Sequence, residues 1–456
     1  MAHAHEEPPD SPRVRAASLL RRHGWNATSP QVLEGGFSYW FDGDDACVAY
    51  VDTGGAWVAA GAPLASTERR LAVTEHFIAA ARAQGRRACF FATETRFAGE
   101  VPLVSLQMGE QPVWDPAAWE AKSLRSSRSL REQLRRARAK GVRVRQVSST
   151  EVADPATPLG QGVAALASQW LEGRDMAPMG FLVQLDLSTL PEERLCLVAE
   201  LDGALVGLLA AVPVYARNGW LIEDLLRNSG APNGAIELLV DDAMRRFCRA
   251  GSEFATLGLA PLSGDVSPWL RAARKLGSGL YDFHGLHAFK AKLRPHAWVP
   301  IFLSFPQQQN SLLTTLDVLR AFAQGGLVRF GLLTLIRAPG IVIRLMALLL
   351  VPWTVLLALP LARPYFPTPG VRWAWVAFDV MVAIGLFSLM RRFRRSLALL
   401  IASAVTGDAV LTLAQALLWN MGRASGMVDA LVITVAVAAP WLAALLLWQA
   451  IRRARL

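Results

Sequence analysis

The stretch "EDLLRNSGAPNGAIELL", residues 223 to 239, places Asp224, Arg227, Asn233, Gly234 and Glu237 within fourteen positions. An apolar run, Gly219 to Ile222, enters it and an amphipathic helical pattern leaves it, so the glycines fall at a strand-to-helix junction. Such a junction can cradle an anion on backbone N–H groups at the start of the helix. Pro232 removes one of those donors. Without further information, Asp224 and Arg227 also read as an i, i+3 ion pair, and Glu237 as a first-turn acid that complements the helix dipole. A second basic group, Lys290 and Lys292, lies in "YDFHGLHAFKAKLRPHAW" between His284 and His287 on one side and His296 on the other. A third is the segment "SLRSSRSLREQLRRARAKG" (123 to 141). As a helix it turns Leu124, Leu130 and Leu134 inward and leaves Arg128, Arg131, Arg135, Arg136 and Arg138 outside. Arginine grips phosphate through a two-pronged fork, so this face fits the phosphates of a nucleic acid or a lipid.

The elements that must position these groups read as two similar units. "ACVAYVDTGGAWVAAGAPL" gives two strands around a Thr-Gly-Gly turn. "STERRLAVTEHFIAAARAQG" gives a helix capped by Ser66 or Thr67 and stopped at Gly85, and "RRACFFATE" a further strand. From about residue 150 the theme repeats: the helix "GVAALASQWLEG", a hairpin turning at Asp202-Gly203, the strand "GWLIEDLL", the helix "AIELLVDDAMRRFCRAG" and the strand "FATLGLAPL". The order predicts two related α/β domains in tandem.

The 456 residues carry 47 Lys and Arg against 37 Asp and Glu, a net charge of +10, which suits an anionic lipid surface or a nucleic acid. Cys47, Cys89, Cys196 and Cys248 stand singly, with neither CxxC spacing nor histidine partners. This pattern excludes a disulfide framework and a zinc site and fits a reducing compartment. The start, with His3 and His5, has no apolar core of a secretory signal and reads as a disordered tail. No metal site is expected. Four stretches, about 341 to 362, 372 to 390, 396 to 419 and 429 to 450, have the length and apolarity of membrane spans. "RRFRR" (391 to 395) and "RRARL" (452 to 456) are dense in arginine and the opposite loops are not, which predicts that these ends and the N-terminal part face the cytoplasm. Arg344, Asp379, Asp408 and Gln415 are polar residues within the spans, either a pathway or acids that pair across a bundle. "GLVRFGLLTLIRAPG" (326 to 340) reads as a helix lying in the membrane interface.

The order strand, glycine loop, helix after a hairpin is that of the acyltransferase fold, whose Arg-x-x-Gly-x-Gly/Ala loop holds the coenzyme A pyrophosphate; here Ala231-Pro232-Asn233 is inserted. Taken with "LGLAPL" (257 to 262), "GAPL" (61 to 64) and the Phe-x-Gly-Leu-x-x-Phe-Lys-x-Lys segment, the chain from about 30 to 305 resembles the C-terminal catalytic domain of the phosphatidylglycerol lysyltransferases. The resemblance implies an α/β (α+β) fold of tandem GNAT-like acyltransferase domains, which the apolar spans extend with a following all-α transmembrane bundle. The expected boundaries are a tail (1–14), a first GNAT-like domain with the Arg-rich helix (15–150), a second, catalytic one (151–305), a linker and interfacial helix (306–340) and a four-helix membrane domain (341–456). The implied activity moves an amino acid from aminoacyl-tRNA, as co-substrate and without a further cofactor, to a hydroxyl of phosphatidylglycerol or another anionic lipid in the bilayer. The implied place is the inner membrane, catalytic part inward. Asp224, Arg227 and Glu237 stand at the family's catalytic motif, with Asp224 or Glu237 holding the amino group or acting as base. Arg227, Lys290 and Lys292 would meet phosphate or the oxyanion, and Asn233, Gly234, Arg131, Arg135 and Arg136 would bind substrate. An acyl-CoA-dependent N- or O-acyltransferase and a non-catalytic lipid-binding protein are the alternatives. In the lysyltransferases a large membrane domain precedes the catalytic part, whereas here a small one follows, so lipid flipping and the identity of the amino acid do not carry over.

Overall fold

The computed structural model describes residues 11–173, 176–278, 280–323, 326–337, 339–391, 394–423 and 426–453. His3, His5, part of the "RRFRR" connector and most of "RRARL" lie outside the described residues. The chain forms two compact units. One runs to Leu327 without 175–177 and 279–281, and the other holds those short stretches with 328–456.

The first unit is built on one sheet of twelve strands: β1 (Ser38–Phe41), β2 (Cys47–Asp52), β3 (Ala56–Ala60), β4 (Arg87–Glu94), β5 (Val104–Trp114), β6 (Arg143–Val147), β7 (Leu195–Leu201), β8 (Ala204–Val214), β9 (Gly219–Arg227), β10 (Phe254–Thr256), β11 (Ala260–Pro261) and β12 (Ala297–Phe305). Its order is β1-β2-β3-β4-β12-β5-β10-β9-β8-β7-β6, with β11 paired to β5. Around it lie α1 (Pro12–His23), α2 (Thr67–Ala83), α3 (Thr95–Glu100), α4 (Arg128–Ala139), α5 (Ser149–Ala153), α6 (Pro158–Glu172), α7 (Ala235–Arg249), α8 (Pro268–Gly277), α9 (Phe283–Lys292) and α10 (Ser311–Phe322). Local chemistry sets several boundaries. Asp202 and Gly203, both at positive φ, turn the β7–β8 hairpin. Thr157 Oγ1 caps α6 by accepting from Gly160 N at 2.9 Å, with Pro158 at the first helical position. α1 begins at Pro12, ahead of the predicted boundary at residue 15.

Strands β1, β5, β6 and β12 were not anticipated by the sequence reading. β12 carries Pro300, a residue that argues against a central strand, yet it runs between β4 and β5. The ladder with β5 shifts register at Ile301/Phe302, directly after Pro300, and such an irregularity tolerates the missing donor. β12 follows the whole second half of the unit in sequence but completes the sheet of the first half. "FATLGLAPL" is not one strand: it breaks after Thr256, and Gly258 at φ +66° redirects the chain into β11.

The second unit contains α11 (Leu327–Arg337), α12 (Pro339–Ala358), α13 (Pro369–Arg391), α14 (Arg395–Gln415) and α15 (Met427–Arg453). Among the described residues three helical stretches, Pro369–Arg391, Arg395–Arg423 and Asp429–Arg452, are long and apolar enough to cross a membrane, rather than the four expected. The first predicted span, 341 to 362, ends as a helix at Ala358, within α12. Pro360 and Pro364 are the physical reason, because they turn the next six residues into a 3-10 segment, Pro360–Tyr365.

Candidate active site

β9 positions the central residues, and its pairing contains the key irregularity. Opposite β8, Ala210 faces Asp224 but Ala211 faces Ile222, so Glu223 is an extra residue on the β9 side. The bulge changes which face each later side chain takes. Before it, Ile222 packs with Leu239 and Met244 of α7; after it, Leu225 takes that face, while Leu226 packs with Leu208, Ala210 and Val163 on the α6 side. Asp224, two residues before Leu226, shares the α6 face.

There it joins a buried ionic group that the sequence reading missed. Arg194, its side chain 1% exposed, donates to Glu223 at 2.7 Å and to Thr189 O at 3.0 Å. Glu34 is buried beside them. Burial, reinforced by the carboxylates of Glu223, Asp186 and Asp224, pushes the Glu34 carboxyl up to about 10. Nothing in "LEGG" marks Glu34 as part of a site, and the bulge that brings Glu223 inward is not visible in an apolar-polar pattern.

The other face of the sheet opens beside the C-terminal half of β9. β10 runs parallel to β9 only along Gly219–Leu221, so Ile222–Arg227 keeps β8 as its single strand neighbour. The divergence is held by Lys290 of α9. Its ammonium donates to Leu257 O at 2.8 Å, Gly258 O at 2.9 Å and Leu259 O at 2.9 Å, the three carbonyls at which the chain leaves β10. Burial pushes this ammonium down to about 7, and the three acceptors oppose that by favouring the charged form. All three ammonium donors are occupied within the fold, where Lys290 shapes the wall, whereas the sequence suggests that it meets phosphate or the oxyanion. Lys292, one turn end further, bonds Glu237 Oε1 of α7 at 2.7 Å. Thus α9 ties the β10 loop with one lysine and the first turn of α7 with the other. His287 stacks on Trp298 with ring centroids 4.5 Å apart, and His284 is exposed.

The predicted anion cradle is largely closed. Gly230 N donates to Asn228 Oδ1, Ala231 N to Asn228 O and Ala235 N to Pro232 O. Above them lies α4. Gly234, at φ +98°, lets the Gln133 carbonyl approach so closely that a Cβ would stand 2.3 Å from Gln133 O. Leu130, Leu134 and Ala137 are buried in the same contact. Asp241 of α7 fastens it by accepting from Arg138 at 2.8 Å and from Trp119 Nε1 at 3.0 Å. Gly234 is therefore a packing glycine, and Asn233 is exposed next to it.

The arginines of α4 are exposed as predicted, but several have partners in the chain. Arg135 and Arg136 both bond Glu132 at 2.8 Å and pull its carboxyl down to about 2, while Arg131 donates to Leu124 O and Arg125 O. Arg227 is exposed at the end of β9 and makes no hydrogen bond or ion pair among the described residues. The sequence-predicted trio is thus divided: Asp224 joins the Arg194 group, Glu237 joins Lys292, and Arg227 stands at the strand end. Among the described residues no cluster of three His, Cys, Asp or Glu side chains fits a metal ion, and all four cysteines are free.

A bulged strand that diverges from its parallel neighbour, followed by a helix at the opening, in a sheet of two halves, defines a GNAT-like acyltransferase fold. The family profile described as phosphatidylglycerol lysyltransferase, C-terminal, matches residues 17–305, and the chain belongs to that family. The family is one of transferases that act on phosphatidylglycerol in a membrane. Two of the solved structures that share the fold carry related names. The C-terminal domain of a protein assigned as a lysylphosphatidylglycerol synthetase in Agrobacterium fabrum has 24% identity and a TM-score of 0.57 over 68% of this chain and 95% of its own. L-PGS from Bacillus licheniformis has 20% identity and a TM-score of 0.57 over 68% and 96%. No curated protein matches the chain.

Proposed function

We propose that the chain transfers the aminoacyl group of an aminoacyl-tRNA to a hydroxyl of phosphatidylglycerol. The seat of α4 on the start of α7 carries this reading. The Gln133 carbonyl and the loop's own hydrogen bonds occupy the place where a coenzyme A pyrophosphate needs free N–H groups, while α4 offers an exposed arginine face beside it. A closed nucleotide cradle next to an open basic helix suits a polyanionic donor better than a free acyl-CoA.

The aminoacyl ester is already activated, so the protein's tasks are orientation, removal of one proton and stabilisation of one oxyanion. The lipid oxygen attacks the ester carbonyl, the bond to the tRNA ribose oxygen breaks, and the proton of the lipid hydroxyl ends on that ribose oxygen. The buried carboxylates of Asp224 and Glu223, beside the protonated Glu34, support holding the ammonium of the amino acid. Glu237, oriented by Lys292, supports the role of base, and the unoccupied guanidinium of Arg227 meets phosphate. The donor places the catalytic part on the cytoplasmic side of the inner membrane. The test is transfer of label from aminoacyl-tRNA to phosphatidylglycerol by the purified full chain in vesicles, with lysyl and alanyl donors compared. Ribonuclease is expected to abolish it. Transfer from an acyl-CoA that survives ribonuclease overturns the reading.

A further inference from the structure

The second unit holds a cavity of about 730 Å³ between α12, α13, α14 and α15 that the transfer reaction does not use. Its polar lining falls into two sets. In one, the groups satisfy each other: Trp375 Nε1 donates to Gln415 Oε1, Gln415 Nε2 to Tyr365 O, and the Tyr365 hydroxyl to Asp429 Oδ1, at 3.1, 2.8 and 2.9 Å. The other set is Asp379 and Asp408. Asp408 Oδ1 accepts from Thr412 at 3.2 Å. Asp379 is 6% exposed, and its Oδ2 is buried without a hydrogen-bond partner.

Among the described residues no ion pair reaches Asp379 or Asp408. Arg372, two turns before Asp379 on α13, donates to Leu359 O at 3.1 Å, and Arg423 lies over the Trp419 ring and donates to Trp419 O. Two carboxyl groups within apolar helices are costly unless something opposite in charge meets them. Apart from Asn420 and Arg423 the remaining wall is apolar, with Leu356, Val432, Ile433 and Val437. The volume is far larger than an inorganic ion requires, and an apolar wall gives such an ion no ligands.

We propose that this cavity binds an amphiphilic primary ammonium ion, with its charged head at Asp379 and Asp408 and its hydrocarbon body along α12 and α15. Two sources share that chemistry: an aminoacylated lipid, and a free long-chain amine that partitions into the bilayer. The site is independent of the transfer reaction.

The experiment uses the full chain in nanodiscs of zwitterionic lipid and radiolabelled dodecylammonium as probe. The double variant Asp379→Asn/Asp408→Asn is expected to weaken its binding by about tenfold or more, with dodecanol binding unchanged. Asp408→Glu, which keeps the charge, retains binding, and Val437→Trp, which fills the cavity, blocks dodecylammonium and dodecanol alike. Competition by lysyl-phosphatidylglycerol but not by phosphatidylglycerol assigns the site to the aminoacylated lipid, and competition by neither assigns it to the free amine. Unchanged dodecylammonium binding in the double variant overturns the proposal. So does equal binding of butylammonium, or displacement by sodium at physiological ionic strength, either of which reduces the cavity to a simple cation site.

Discussion

Replacing Gly234 by alanine tests the seat of α4 on α7 directly. Two penalties add. The residue sits at φ +98°, where an L side chain is strained by about 1–2 kcal/mol. The new methyl would stand 2.3 Å from Gln133 O, 2.9 Å from Gln133 C and 3.2 Å from the Ala137 side chain, whereas ordinary contact begins at 3.4 Å. The helix α4 must therefore retreat by roughly 1 Å, loosening Leu130, Leu134 and Ala137, at the ~1–3 kcal/mol typical of overpacking. The sum is about 2–5 kcal/mol. In a unit of this size each kcal/mol moves the melting temperature by about 2 °C, which gives a drop of ~4–10 °C. Tryptophan fluorescence of the full chain in micelles reads it, since Trp119 lies in the same contact. Gly230→Ala is the control: it has no positive φ, and its Cβ would meet only Asn228 Oδ1 at 3.4 Å, so it stays within about 0.5 kcal/mol. If the two variants melt together, α4 is not seated as described, and the argument for a polyanionic donor loses its support.

Lys290→Met removes three donors from Leu257, Gly258 and Leu259; the stranded carbonyls outweigh the relieved burial of charge by about 2–4 kcal/mol. Hydrogen exchange in 254–261 should rise, and Lys290→Arg should not restore it, because a planar fork cannot serve three converging acceptors. Glu34 holds its proton in the folded state up to about pH 10, while an unfolded glutamate releases it near 4.3. The folded state therefore binds more protons across that window, and stability falls with rising pH by up to ~1.4 kcal/mol per unit. Glu34→Gln should flatten this dependence in melts between about pH 5 and 9 and be the more stable at the alkaline end. Arg135→Ala/Arg136→Ala should raise KM for aminoacyl-tRNA and lower the salt slope of binding by ~1–2 while leaving the melting temperature unchanged, because exposed pairs with Glu132 contribute little.

What could be read from the sequence was set by local chemistry. The β7–β8 hairpin, α2, α4 and α7 announce themselves through Asp202-Gly203, through helical periodicity and through caps. The inward leucines of α4 are buried as their spacing requires. The failures share one cause, because they depend on pairing between distant segments. β12 is built from an apolar run that Pro300 argues against as a central strand, and only its neighbours β4 and β5 make it one. Lys290 and Lys292 look alike in "FKAKLR", yet α9 turns one toward three carbonyls and the other toward a carboxylate. Periodicity separates faces of a helix but cannot say what each face meets.

The bulge at Glu223 explains why the motif residues cannot act as one cluster. In a regular strand Ile222, Asp224 and Leu226 would share a face, and Asp224 would look toward α7 and Glu237. The extra residue sends Asp224 to the α6 side, where Arg194 and Glu34 wait, and leaves Glu237 to Lys292. The two carboxylates are thereby given opposite surroundings, one rich in acid and the other neutralised by a lysine. An acid-rich pocket attracts an ammonium, and a carboxylate bonded by a single lysine is held in one orientation to accept a proton. A reaction that must hold an amino group while deprotonating a hydroxyl needs that difference. Reversing it gives the sharpest consequence: Lys292→Met should depress transfer through kcat more than through KM, since Glu237 then loses the partner that orients its carboxylate. A variant with reduced affinity for tRNA but an unchanged kcat would instead make Lys292 a phosphate contact and leave Glu237 without the role of base.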